Sequence, residues 1–208
     1  MNLWFRLIRA FAAALLKLTC GMTYAGRENI PAGGGGLMIV SNHISFLDPP
    51  MVSCAITREI HFLARKTLFK KNGFGWLIGS LNSIPIDQDR PDMNGLRIII
   101  KRLKEGHAVL VFPEGARSLD GTIQPGSSGA GLVAVKAGMP ILPVRLFGSF
   151  EALPRLPEWQ GKAKFRCHPL RVVIGKPFTP DYAALGKKGK EGYEELAALM
   201  MAKIAELS

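Results

Sequence analysis

His43 and Asp48 stand five residues apart in Ser41-Asn42-His43-Ile44-Ser45-Phe46-Leu47-Asp48-Pro49-Pro50. An imidazole that exchanges protons near neutral pH, with a carboxylate that fixes its tautomer, makes a general base. If the loop between them folds back, Asp48 holds one ring nitrogen of His43 and the other can take a proton from a hydroxyl. Two plainer readings compete: Asp48 as N-cap of a following helix with Pro49 at its first position, and His43 as a polar loop residue. A second constellation is Phe112-Pro113-Glu114-Gly115-Ala116-Arg117-Ser118. Gly115 permits a tight turn, and the planar fork of Arg117 suits a phosphate. Glu114 either orients that arginine or holds the loop, and a surface turn with a solvated ion pair is the alternative.

Both constellations follow short apolar runs. Buried strands are expected at Leu37–Val40, Ile60–Leu63, Ser83–Ile86, Ala108–Phe112 and Ile141–Phe147, with helices at Asp48–Ile56, Asp92–Lys104 and Ser128–Ala137 between them. This alternation implies an α/β fold: a single domain with a largely parallel, mixed sheet flanked by helices. His43 and the Glu114–Arg117 turn then lie past the carboxyl ends of two strands, where open α/β sheets form their ligand crevice. Gly33–Gly36 precedes a strand rather than a helix and reads as an entry loop, not a phosphate cradle. Beyond Phe147, Lys164–Ile174 reads as extended chain with a turn near Pro169, and Glu191–Leu207 as a helix, both additions to the same sheet.

With 208 residues, 48% hydrophobic and 21% charged, the chain has enough apolar material for one sizeable core and too much to be disordered. Its 27 Lys and Arg against 16 acids give a net charge of +11, which favours polyanions: nucleic acid, anionic lipid headgroups or phosphorylated substrates. Lys162, Lys164, Arg166, Arg171, Lys176, Lys187, Lys188 and Lys190 concentrate that charge near the C-terminus. No zinc finger, aromatic RNP pair or GXXG clamp supports a nucleic-acid partner. Cys20, Cys54 and Cys167 form no CxxC, and His61, His107 and His168 have no ligand spacing, so neither a disulfide framework nor a metal site is expected.

Residues 1–24 read as an amphipathic helix and 25–208 as the α/β domain. Trp4, Leu7, Ile8, Phe11, Leu15 and Leu18 share one helical face, with Arg6, Arg9 and Lys17 opposite. Those charges interrupt any membrane-spanning run, and no cleavage site follows. The helix either lies in a membrane interface or packs on its own domain with a solvated cationic face; Trp4 and the all-cationic polar face favour the membrane.

The order N-H-x-x-x-x-D, then F-P-E-G-x-R-S about 70 residues later, resembles the glycerolipid acyltransferases, in particular bacterial 1-acylglycerol-3-phosphate acyltransferases. Ala64-Arg65-Lys66 with Leu68-Phe69, Gly75-Trp76, Ile84-Pro85-Ile86-Asp87 and Pro140–Val144 match as well, so the resemblance covers roughly Ala25 to Pro177. It departs at Ala116, where the family usually has Thr, and at Gln88, where Arg often follows the Asp; the nearest cation is Arg90.

The resemblance implies that His43 is the general base and Asp48 its orienting partner. Glu114, Gly115 and Arg117 would bind the acceptor phosphate, with Lys66 as a helper. The acceptor would be a lyso-lipid, the donor acyl-CoA or acyl carrier protein, and no further cofactor or metal is implied. Together with the cysteine usage, which suits a reducing compartment, and the N-terminal helix, the resemblance implies a peripheral position on an anionic membrane surface, at the cytoplasmic face of the inner membrane. Two other classes remain in view. One is a serine hydrolase with Gly126-Ser127-Ser128-Gly129-Ala130 as nucleophile elbow, although Ser118–Pro125 before it is a polar loop rather than the strand an elbow needs. The other is a non-catalytic basic membrane-binding module.

Overall fold

Leu37-Met38-Ile39-Val40-Ser41 is buried along its whole length, as a strand covered on both faces must be. The computed structural model, which describes residues 3–70, 73–86, 93–155 and 164–208, places this run as β2 at the middle of a seven-stranded sheet. The strands are β1 (Thr23–Ala25), β2 (Leu37–Ser41), β3 (Ile60–Arg65), β4 (Ser83–Ile86), β5 (Ala108–Val111), β6 (Ile141–Phe147) and β7 (Arg171–Ile174), in the spatial order β1-β7-β6-β2-β5-β3-β4. From β6 to β4 every neighbouring pair is parallel; β7 runs antiparallel to β6, and β1 parallel to β7. The sheet is therefore mixed but largely parallel, as expected.

The helices are α1 (Leu3–Cys20), α2 (Asp48–Ala55), α3 (Lys66–Phe69), α4 (Phe74–Ser80), α5 (Met93–Lys104), α6 (Ser128–Ala137), α7 (Ser149–Ala152), α8 (Tyr182–Lys187) and α9 (Lys190–Ala205). Alternation along β2 divides the core in two. Leu37 and Ile39 join Met51 and Val52 of α2, Ile56 just after it, and Phe5 and Leu16 of α1, whereas Met38 and Val40 join Ile99, Val133, Leu196 and Met200 under α5, α6 and α9. Each such aliphatic side chain removed from water contributes roughly 1.5–3 kcal/mol. Pro85 sits in β4 at the sheet edge, where a missing N–H is tolerated.

The five expected strands are present, with β3 running on to Arg65 and β5 ending one residue before Phe112. One expectation about the chain after Phe147 is corrected. Lys164–Leu170 is irregular, and only Arg171–Ile174 pairs with β6. β1 was not legible as a strand, because three residues carry no period; it forms because Thr23, Tyr24 and Ala25 lie against Arg171, Val172 and Val173. Asp87, Gln88, Arg90, Asp92 and Lys162 lie outside the described residues.

α1 differs from its helical wheel. Phe5, Leu16 and Cys20 are buried on the side facing α2, and Arg9 on that same side donates to the carbonyl of Ile56 at 2.9 Å. Arg9 thus does not belong to a solvated cationic face. Most of the stripe read as the apolar face points outward instead: Leu7, Phe11 and Leu15 are exposed and Leu18 is 85% accessible, while Ile8 faces the interior and Trp4 donates to the Ser80 hydroxyl at 3.0 Å. The helix thus packs on its own domain with one side and presents apolar surface with the other. Among the described residues no helix is long and apolar enough to cross a membrane.

Candidate active site

β2 ends at Ser41, and Asn42 fastens the following loop to β6: its amide donates to the Leu146 carbonyl at 3.1 Å, and its side-chain oxygen accepts the Leu146 N–H at 2.8 Å. The loop then reverses so that Asp48 comes back to His43. Nδ1 of His43 lies 2.8 Å from Oδ2 of Asp48, which also accepts the N–H groups of Ile44 and Ser45 at 2.7 Å each. Ser149 donates to Oδ1 at 2.7 Å, and Asp48 is fully buried. Every one of these partners donates to the carboxylate, so the hydrogen between it and His43 sits on Nδ1 and leaves the Nε2 lone pair available.

The N-cap reading of Asp48 fails for a local reason. The helix starts at Asp48 itself, the next two residues are prolines without N–H, and the Met51 N–H already bonds the Leu47 carbonyl. No helix donor is left for the carboxylate to cap. It turns back to the loop because the loop is where the donors are.

The Glu114–Arg117 turn leaves β5 beside this loop. Gly115 has φ +74°, where a side chain is strained, and its N–H closes the turn on the Phe112 carbonyl at 3.0 Å. Phe112 stacks its ring on His43, 3.8 Å between centroids and 12° from parallel. Glu114 Oε1 accepts the backbone N–H of His43 at 2.9 Å, and the Ser118 N–H donates to the His43 carbonyl at 2.8 Å. Glu114 therefore holds the histidine loop rather than orienting Arg117. Its Oε2 is buried with no partner among the described residues. Burial pushes the carboxyl up to about 7, against the hydrogen bond from the N–H of His43, with the charge of Asp48 adding to the rise.

Arg117 lies over the ring of Phe46, its guanidinium carbon 3.4 Å from the centroid. Its Nη1 is buried and unpartnered among the described residues. Burial, together with the charges of Arg155 and Arg65, lowers it to about 10, while Asp48 acts in the opposite sense. The lower pKa still leaves the guanidinium charged at neutral pH.

His43, Phe46, Arg65 and Arg117 border a cavity of about 470 Å³. Its other walls are mostly apolar, with Phe5, Ile8 and Ala12 of α1 and Leu77, Ile78 and Leu81 of α4 and its C-terminus, while Arg9, Ser53, Thr67 and Ser83 add polar groups. His43 and Arg117 thus meet at a mostly apolar pocket.

A model of the family described as Acyltransferase matches residues 21–146. The chain belongs to the acyltransferase family. The 1-acyl-sn-glycerol-3-phosphate acyltransferase of Bacillus subtilis strain 168 is 29% identical to it over 187 residues, covering 89% of this chain and 85% of that one. The chloroplastic 1-acyl-sn-glycerol-3-phosphate acyltransferase BAT2 of Brassica napus is 31% identical over 163 residues. This acyltransferase-family chain spans 77% of itself in that match but under half, 46%, of the plant protein. Its fold is similar to the crystal structure of PlsC, the 1-acyl-sn-glycerophosphate (LPA) acyltransferase of Thermotoga maritima, at TM-score 0.74 and 28% identity over 93% of this chain and 80% of that chain.

In this acyltransferase, then, His43, Asp48, Glu114, Gly115 and Arg117 come together as the motifs suggested. Lys66 does not join them at the cavity: it is exposed at the first position of α3, and Arg65 before it borders the pocket. Ser127 stands at the N-terminus of α6 after an irregular loop, so no strand-turn-helix elbow exists there. Ser149, Phe46 and Phe112 were not recognised as part of the site. Phe46 and Phe112 lie inside the two motifs, so their nearness was at least a signal; nothing near Ser149 in the sequence marks it. Among the described residues no group of His, Cys, Asp and Glu is arranged to hold a metal.

Proposed function

We propose that this acyltransferase moves a fatty acyl group from a thioester donor to the free hydroxyl of 1-acyl-sn-glycerol-3-phosphate, forming phosphatidic acid. The observation that carries this reading is the His43–Asp48 pair, 2.8 Å apart, at the mouth of an apolar cavity with Arg117 beside it. Nε2 of His43 takes the hydroxyl proton as that oxygen attacks the thioester carbonyl carbon. The carbon–oxygen bond forms, the carbon–sulfur bond breaks, and the imidazolium returns its proton to the departing thiolate. No acyl-enzyme is needed, because the thioester is already activated. Asp48 holds the tautomer, and Arg117 takes the acceptor phosphate by a charge-assisted fork. Glu114 and Gly115 shape the loop that presents it.

The donor is acyl-CoA or acyl carrier protein. Within residues 1–24, α1 serves as the membrane-associating helix; Thr23 and Tyr24 belong to β1 and so to the sheet of the catalytic domain, which continues over 25–208. The exposed Leu7, Phe11 and Leu18 support docking on an anionic surface at the cytoplasmic face of the inner membrane. The test is an acyl-transfer assay with both donors and a panel of lyso-lipid acceptors, read by mass spectrometry. Phosphatidic acid from lysophosphatidate as the preferred product is the expected result. Preference for another lyso-lipid would move the acceptor, and release of free fatty acid alone would overturn acyl transfer to a lipid.

A further inference from the structure

Leu153-Pro154-Arg155 follows α7 and lies against both loops of the site. Ser45 Oγ donates to the Leu153 carbonyl at 2.7 Å, Ser45 and Pro154 form an antiparallel bridge, and Arg155 Nη1 donates to the Arg117 carbonyl at 2.9 Å. The Arg155 guanidinium is thereby held against the backbone of Arg117, whose own side chain borders the cavity together with Arg65. The charge of Arg155 bears on Arg117 strongly enough to stand second only to burial in lowering it. Among the described residues no carboxylate forms an ion pair with Arg117 or Arg155. Asp48, the acid whose charge reaches Arg117, already has both oxygens occupied by His43, Ile44, Ser45 and Ser149. Arg117 Nη1 remains buried and unpartnered. Arg117 and Arg155, neither in an ion pair among the described residues and one with an unfilled donor, leave a site that an anion would complete.

We propose that Arg155 is a specificity-determining residue for the acceptor headgroup: with Arg117 it forms a two-guanidinium subsite that selects a phosphate monoester over a phosphodiester. A monoester carries up to two negative charges near neutral pH and a diester one, so a second cation discriminates where a single one would not. The proposal rests on the acyl-transfer reading above. Arg155 lies beyond residues 21–146, so this contribution stands outside the matched family region.

The test uses the full chain in mixed detergent micelles, with lysophosphatidate and its methyl phosphodiester as acceptors at fixed mole fractions. Arg155→Gln keeps a side-chain N–H for the Arg117 carbonyl and removes the charge. It is expected to raise KM for lysophosphatidate on the order of tenfold, with kcat within about twofold and a much smaller change for the diester. Arg155→Lys, which restores a charge, should recover most of the loss. Equal KM increases for both acceptors, a fall in kcat without a KM change, or no change at all would overturn the proposal. If Arg155→Gln lacks a cooperative melting transition, Arg155→Met and Arg155→Lys carry the same comparison. Absence of wild-type turnover on lysophosphatidate would sink the functional reading itself, whereas wild-type turnover with unaltered Arg155 variants would remove this inference alone.

Discussion

Ser149 donates its hydroxyl hydrogen to Oδ1 of Asp48 at 2.7 Å, although 101 residues separate them. The link depends on the sharp exit from β6. Gly148 has φ +79°, and a Cβ there would meet the Pro169 carbonyl oxygen at 1.9 Å. Only glycine lets the chain turn so closely and set Ser149 beneath the carboxylate.

Ser149→Ala leaves Oδ1 of Asp48 buried without its side-chain donor. The expected cost is about 1–3 kcal/mol of stability, read by urea unfolding, with kcat falling several-fold as Asp48 loses one of its restraints. A neutral result in both measurements would mean that the contact restrains nothing.

His43→Ala removes the only proton acceptor that the dyad presents to the cavity. Turnover should fall by roughly 10²-fold or more while the melting temperature stays close to that of the parent, because the ring is partly exposed and bears no core contact on its open side. Asp48→Asn should damage both properties. Its amide nitrogen either faces the N–H groups of Ile44 and Ser45, which only donate, or makes the Ser149 hydroxyl turn round to accept, and in both cases the charge that held the His43 tautomer is gone.

Arg117→Ala should raise KM for a phosphate-bearing acceptor roughly tenfold or more, the range for losing a charge-assisted contact. Lysine should rescue poorly, because its ammonium does not reproduce the planar stack on Phe46. Steady-state kinetics with varied acceptor and saturating donor checks both.

The two sides of α1 should fail differently. Leu7→Ser with Phe11→Ser should reduce flotation with anionic vesicles and leave the melting temperature nearly unchanged, since both residues are exposed. Phe5→Ala should cost about 3–5 kcal/mol of stability, because Phe5 is buried in the core beside α2. Arg6→Glu should weaken vesicle binding in a salt-dependent way, whereas Arg9→Glu should destabilise the fold by losing its bond to Ile56.

Glu114 gives a pH dependence of defined sign. Its folded-state pKa, about 7, lies above the ordinary carboxylate value of 4.5, so between these limits the native state holds a proton that the unfolded chain releases. Stability from this group is therefore full below about pH 4.5 and declines as pH rises to about 7. After allowance for partial exposure the loss is about 1 kcal/mol. Glu114→Gln should flatten that part of the curve relative to the parent, as measured by denaturant midpoints at several pH values.

The local half of the site was legible because its causes are local. Apolar runs of strand length, bounded by Gly and Pro, are buried on either face of a sheet whatever their neighbours, so five strands could be located from their own residues. The return of Asp48 to His43 is likewise settled within a few positions, since Pro49 and Pro50 deny the carboxylate a helix N–H to cap. Period and composition do not encode which strand lies beside which. Only the order β6-β2-β5 brings the loops after those three strands to one edge, and with it come Ser149 under Asp48, Glu114 on the His43 backbone and Arg155 on Arg117. The same limit applied to α1, whose wheel contains two apolar sides. Which of them turns inward depends on the shape of α2 and the sheet, surfaces assembled from residues far along the chain.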